Sequence, residues 1–343
     1  MKLWKRMTAA ALALVMALSL AACGPKDDAS ASGSGDKAEL PEITFVLDWT
    51  PNTNHTGLYA AIANGYFEEA GLKVNVVQPP EDGAEVLVAS GRAQFGVSFQ
   101  DYIAPALVGE EPLGITAVAA ILQHNTSGIV SRQGEGMSSP KGLEGHKYAT
   151  WDLPVEKATI KQVMEADGGD FSKVELIPST VTDEVSALQS KSVDAIWIFY
   201  GWAGVACQQA GLPIDYFSFA DIDSVFDFYT PVIIGSNDYM EKNPESAKAF
   251  LAALSKGYQF AAEHPEEAAN ILMEAAPELK DSADLVIASQ KYLAGEYISD
   301  AERWGEFDPE RWSGFYQWLN DNSLLEGKID PMAGFTNDYL PEA

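Results

Sequence analysis

The chain has 343 residues, 47% of them hydrophobic, and a formal charge of −28. That length supports two cores rather than one, and so acidic a balance excludes a role built on capture of nucleic acid or another large polyanion. Its two cysteines, Cys23 and Cys207, are too few for a disulfide framework or a cysteine-ligated metal cluster.

The first residues read as an export signal. Lys2, Lys5 and Arg6 precede Thr8 to Leu20, an apolar run too short to span a bilayer comfortably. Leu20-Ala21-Ala22-Cys23 closes that run and resembles a bacterial lipoprotein cleavage site. The resemblance implies a leader over residues 1–22 and lipidation of Cys23, which would hold the body at a membrane surface. An ordinary leader with an incidental cysteine is the blander alternative. Residues 23–40 are rich in Ser, Gly, Ala, Asp and Lys, so they read as a flexible tether. No apolar run beyond the leader is long enough for a transmembrane helix.

Past the tether, Ile43 to Leu47 reads as a strand and Leu58 to Phe67 as a helix, with Gly71 as the closing cap. Between them lies Asp48-Trp49-Thr50-Pro51-Asn52-Thr53-Asn54-His55-Thr56-Gly57. A helix cap needs one polar side chain, and this stretch holds several besides a tryptophan. In open α/β sheets ligands bind beyond the carboxyl ends of strands, at helix N-termini. Asp48, Trp49, Asn54 and His55 are therefore candidate ligand residues.

The alternation continues. Strands are predicted at residues 72–77, 95–98, 115–122 and 128–131, with helices at 83–90 and 103–108. A Gly/Ser/Pro-rich loop over 134–140 precedes a second series, with strands at 147–150, 174–177 and 195–198 and helices at 155–167 and 183–189. A strand at 231–234 and four helices from Pro244 to Asn320 complete the chain. This order predicts an α/β fold with mostly parallel sheets. At an offset of 100 residues, Val88 to Phe99 matches Leu188 to Phe199 in residue class, each ending in an aromatic at a strand tip. Two similar lobes are expected, residues 42–128 with 232–343 and residues 129–231, joined by two hinge crossings that let the lobes close on a ligand.

Trp197-Ile198-Phe199-Tyr200-Gly201-Trp202 is the densest aromatic cluster. Alternation assigns Trp197 and Phe199 to the core and leaves Tyr200 and Trp202 at the strand tip, where flat rings suit a flat heteroaromatic. In Trp151-Asp152-Leu153-Pro154-Val155-Glu156, Glu156 either meets the helix dipole or, beside Trp151, accepts hydrogen bonds from an aminopyrimidine edge. Asn125 at the first crossing, Asp227 and Tyr229 at the second, and Gln100 after the 95–98 strand are further candidates. His55, His124, His146 and His264 have no neighbour at metal spacing, and no nucleophile or phosphate-loop motif occurs. The expectation is binding rather than catalysis, without metal or cofactor.

These motifs, with Gly65-Tyr66-Phe67, Gln94 to Ser98, Asn125 to Gly128 and Tyr229 to Val232, resemble the bacterial thiamine-precursor-binding lipoproteins, of one superfamily with the fungal thiamine pyrimidine synthase. The resemblance implies a two-lobed type II periplasmic-binding-protein fold and an ABC-importer permease as partner. It implies a lipid-anchored monomer on the extracytoplasmic face of the cell membrane. The implied ligand is a hydroxymethylpyrimidine-like aminopyrimidine, typically its formylamino relative. Trp49, Trp151, Tyr200 and Trp202 would then stack, and Asp48, Glu156 and Asp227 would pair with ring nitrogens and the exocyclic amine. Asn54, His55, Gln100 and Asn125 would take the remaining polar groups. The fungal enzymes use a pyridoxal phosphate lysine and a cysteine-rich stretch, whereas Asp48 to Tyr59 contains no lysine and Asp227 to Val232 no cysteine. A synthase is thus one alternative. Others are a receptor for another flat ligand such as a riboflavin precursor, for an alkylsulfonate (which would need cations these motifs lack), and a surface protein with an inert cleft.

Overall fold

The computed structural model describes residues 40–342; the leader, Cys23 and the tether up to residue 39 lie outside the described residues. The strands are β1 Glu42–Val46, β2 Lys73–Val77, β3 Phe95–Ser98, β4 Ile115–Ala120, β5 Ser127–Arg132, β6 Lys147–Thr150, β7 Glu175–Pro178, β8 Ala195–Phe199, β9 Ile214–Ser218 and β10 Val232–Ser236. They form two five-stranded sheets, ordered β2-β1-β3-β10-β4 and β7-β6-β8-β5-β9. Pairs made by βα crossovers are parallel, β1 with β2 and β3, and β6 with β7 and β8. The antiparallel strands are those next to the passages between sheets: β10 beside β3 and β4, β5 beside β8 and β9. β5 and β10 are buried throughout, as expected for strands covered on both faces. The chain passes between the sheets at residues 121–126 and 219–231.

The structure departs from the sequence reading at several points. The first predicted helix is two, Thr56–Ala63 and Tyr66–Glu69, because Gly65 takes a left-handed φ of 73° between them. β4 stops at Ala120, two residues early. β9 carries only weak alternation and sits at a sheet edge with one neighbour.

The helices after β10 build the floor of the first sheet. Phe250 stacks on Phe95 with ring centroids 4.3 Å apart and on Phe67 at 5.2 Å. The helix Pro244–Glu263 approaches Thr56–Ala63 so closely that a Cβ on Gly57 would lie 2.2 Å from the Tyr258 ring, and one on Gly257 would lie 2.0 Å from the Gly57 carbonyl oxygen. Later helices also touch the second sheet's elements. Trp318 Nε1 donates to Gln162 Oε1 at 2.6 Å, and Ser289 donates to the Gly201 carbonyl while bonding Thr53 Oγ1 at 2.6 Å. No helix among the described residues is long and apolar enough to cross a membrane.

Gly57→Ala forces a methyl into the Tyr258 ring. The expected cost is about 1–3 kcal/mol, read as a lower urea midpoint; an unchanged midpoint would show that the two helices separate freely.

Candidate functional site

A cleft opens beyond the carboxyl ends of β1, β3, β6 and β8, where the crossovers leave each sheet. It has two adjoining chambers, of about 440 and 460 Å³. Phe99, Tyr102, Trp151, Trp197 and Phe199 line both. Asp48, Trp49, Asn52, Asn54, Glu184 and Trp202 belong to the first chamber, and Asp101, Leu153, Glu156 and Phe228 to the second. No Lys, Arg or His lines either chamber. The aromatic faces are uncovered: Trp49 is 54% exposed, Tyr102 49%, Trp151 42% and Phe199 38%.

The turn after β1 is fixed from behind. Asn52 Oδ1 accepts from Asn54 N at 2.9 Å, and Asn52 N donates to His55 Nδ1 at 3.1 Å. A backbone amide can only donate, so Nδ1 is the acceptor and Nε2 carries the proton. Nε2 lies 2.6 Å from Asp48 Oδ1 and therefore donates to it. The imidazole is fully buried, so His55 orients Asp48 and does not line the cleft, a correction to its expected contact with ligand. The Tyr258 and Tyr297 hydroxyls donate to the carbonyls of Asn54 and Thr53 at 2.8 and 2.7 Å. With its inner side so bonded, the turn presents Asp48, Trp49 and Asn54 to the first chamber.

The turn after β6 is built around Glu156. Its Oε1 accepts from the Tyr148 hydroxyl at 2.7 Å and Trp151 N at 3.1 Å; its Oε2 accepts from Thr150 Oγ1 at 3.1 Å and Leu153 N at 3.2 Å. Burial against this carboxylate pushes the Tyr148 phenol well above its ordinary value. Asp152 takes a left-handed φ of 66° between the bonded residues. Glu156 thus holds Trp151 at the cleft, and its acceptor capacity is taken up by the protein. This corrects its expected pairing with ligand. The carboxylates without such a set of donors are Glu184 in the first chamber and Asp101 in the second. Burial raises both, Asp101 to about 7.

Several expected contacts lie elsewhere. Gln100 is fully buried, donating to the Trp312 carbonyl at 2.9 Å and accepting from Tyr229 N at 2.9 Å. The Tyr229 hydroxyl accepts from Asp308 N at 2.7 Å. Asn125 donates to the Phe226 carbonyl at 2.8 Å and accepts from Ser127 N at 2.9 Å. Asp227 accepts from Asn125 N at 2.9 Å and faces His124 Nδ1 at 2.8 Å. Asn125 and Asp227 brace one passage between the sheets against the other, while Gln100 and Tyr229 tie the second passage to the segment Asp308–Trp312. The Tyr200 hydroxyl accepts from Gln208 at 2.6 Å, with its ring among Tyr216 and Tyr292, outside both chambers. Asp48, Trp49, Asn54, Trp151 and Trp202 are brought together. Asn52, Phe99, Asp101, Tyr102, Glu184, Trp197 and Phe199 are additions; for Phe99 and Phe199 the signal was the paired aromatic at each strand tip. Alternation does place Trp197 and Phe199 on one face of β8: Trp197 is buried in the core as expected and shows only an edge to the cleft, whereas Phe199 at the strand's end is exposed in the cleft wall. Among the described residues no group of three His, Cys, Asp or Glu could hold a metal ion. Cys207 is buried, and burial pushes its thiol up to about 11.

The family model described as NMT1/THI5 like matches residues 52–268. The chain belongs to this family. It is 28% identical to the formylaminopyrimidine-binding protein of Halalkalibacterium halodurans, over 92% of this chain and 94% of that one. It is 25% identical to a 4-amino-5-hydroxymethyl-2-methylpyrimidine phosphate synthase of Saccharomyces cerevisiae, over 87% and 88%. Among solved structures, the periplasmic aliphatic sulphonate binding protein SsuA of Escherichia coli superposes with a TM-score of 0.65 at 15% identity, over 86% of this chain and 97% of that one. The fold is the two-lobed periplasmic-binding-protein type.

Glu156→Ala strands four donors, the Tyr148 and Thr150 hydroxyls and the Trp151 and Leu153 amides. A loss of about 3 kcal/mol in unfolding free energy is expected, measured by chemical denaturation. A loss below about 1 kcal/mol would mean that water replaces the carboxylate and that Glu156 does not hold the turn.

Proposed function

We propose that the protein is the extracytoplasmic solute receptor of an ABC importer, and that it closes over a thiamine-precursor aminopyrimidine of the formylaminopyrimidine kind and delivers it to a membrane permease. The observation that carries this reading is the first chamber's wall: oriented carboxylates and amides among tryptophan faces, with no cation. An aminopyrimidine edge offers N–H donors, and a carboxylate held in place accepts them directionally. Its ring is flat and suits Trp49, Trp151 and Trp202. The relative named as a formylaminopyrimidine-binding protein, aligned over nearly its whole length, supports the same ligand class. A sulfonate receptor is disfavoured, because an anion would face the Asp48 and Glu184 carboxylates with no cation in the wall to offset them.

The relatives named as synthases raise an enzymatic reading. It is disfavoured by His55, whose two ring nitrogens are engaged by Asn52 N and Asp48 in a fully buried setting. Lobes of residues 42–128 with 232–343 and of 129–231, moving about the two passages, fit a receptor that closes by small dihedral changes. Lipidation at Cys23 would tether a monomer to the membrane near its permease.

Calorimetry with formylaminopyrimidine is expected to give saturable one-to-one binding. Asp48→Asn keeps the shape and loses the charge-assisted acceptor, so a loss of about 1.5–3 kcal/mol is expected. Absence of heat with every aminopyrimidine tested would sink the ligand assignment; full affinity in the variant would remove Asp48 from the site.

A further inference from the structure

The second chamber is not needed for a single pyrimidine. A volume of about 300 Å³ suffices for a complete small-molecule site, and each chamber exceeds it on its own, at about 440 and 460 Å³. The second has its own chemistry. Of its two carboxylates, Glu156 is engaged by four protein donors, whereas Asp101 meets only the backbone N–H groups of Asp101 and Tyr102 and is the one with capacity left for a ligand. Tyr102, Trp151 and Phe199 show it uncovered ring faces. One carboxylate among aromatic faces, with no protein cation in the wall, is the arrangement that holds a positively charged nitrogen heterocycle: the rings attract its charge and the carboxylate neutralises it.

We propose that the second chamber is a subsite for a cationic heteroaromatic ring joined to the pyrimidine, so that the cleft takes two-ring cations as well as single-ring aminopyrimidines. This rests on the reading of the first chamber as the aminopyrimidine site. The net charge of −28 favours encounter with such a cation over a neutral ring.

The proposal carries a pH signature. The charged and titratable groups that interact with Asp101 are Glu85, Tyr102 and Tyr316, and Glu156 lines the same chamber; none of them is a cation. Burial holds the Asp101 carboxyl up near 7 in the empty cleft, above its ordinary value, so it takes a proton as pH falls through that range. A bound cation favours the carboxylate. Binding of a permanent cation therefore releases a proton near and below pH 7 and strengthens as pH rises through it.

Thiamine, an aminopyrimidine joined through one carbon to a quaternary ring, is the probe, with formylaminopyrimidine as the single-ring reference. Calorimetry of the full chain is run with both, in buffers of different ionisation enthalpy. Thiamine is expected to bind at least as tightly as the reference, with proton release that the reference does not show. Asp101→Asn is expected to lower the ratio of thiamine to formylaminopyrimidine affinity tenfold or more and to abolish the release. Leu153→Arg, at a partly exposed wall position of the second chamber only, puts a cation there and is expected to lower the same ratio tenfold or more. Heat with formylaminopyrimidine but none with thiamine overturns the proposal and leaves the first reading standing, as does a ratio that moves less than tenfold in both variants. No heat with either ligand overturns both readings.

Discussion

The turn over Asn52–His55 can face a ligand because the polar groups on its inner side are already bonded. Asn52 N is taken by His55 Nδ1, the Thr53 and Asn54 carbonyls by tyrosine hydroxyls, and Asp48 Oδ1 by His55 Nε2. Those tyrosines lie on the helix Pro244–Glu263 and just after the helix Ala283–Leu293, some 200 residues further along the chain. Tyr258 can reach the turn because Gly57 and Gly257 let two helices touch backbone to backbone. The late helices thus set the geometry of a cleft wall whose residues, Asp48 to Asn54, come early in the chain. A rigid support of this kind limits the rotamer and loop entropy lost when a small ligand binds.

The sign of the cleft follows from composition and then decides among ligand classes. A chain with 50 acids and 22 Lys and Arg has cations to spare for few places. Two of its arginines go to structure: Arg132 reaches Glu135, Asp194 and the Leu188 and Val193 carbonyls, and Arg311 lies over the Tyr229 ring at 5.1 Å. The sulphonate-binding protein SsuA shares the fold at 15% identity. Fold alone therefore leaves the ligand open; the residues at the strand ends distinguish one receptor from another.

Much of the fold was legible in the sequence because buried strands announce themselves as short apolar runs punctuated by helices. The site was legible in part. The stretches after β1 and β6 carry more polar and aromatic groups than a turn needs, and Asp48, Trp49, Asn54 and Trp151 do line the cleft. Gln100, Asn125, Asp227 and Tyr229 look the same on paper, yet they bond to one another's segments and to the chain's far end. Gln100 meets Trp312 across 212 positions, a separation that no local pattern encodes. Asp101, one residue from Gln100, lines the cleft instead. Neighbours on a helix start point in different directions, and only packing shows which of them is covered.

The carboxylates make the same point more sharply. Asp48, Asp101, Glu156 and Glu184 are one chemical type around one cleft. What separates them is the number of donors the protein itself supplies. Glu156 receives four, so it holds a turn. Asp48 receives one, from a histidine whose tautomer is set by a backbone amide, so it is oriented with an oxygen still unclaimed by that histidine. Asp101 and Glu184 accept only from backbone N–H groups, their own and, for Asp101, that of Tyr102, and burial still holds both up, a cost that a ligand bearing N–H donors or positive charge relieves. Recognition in such a cleft is a matter of leaving some acceptors unsatisfied where a ligand with donors can reach them, while satisfying those on which the shape of the cleft depends.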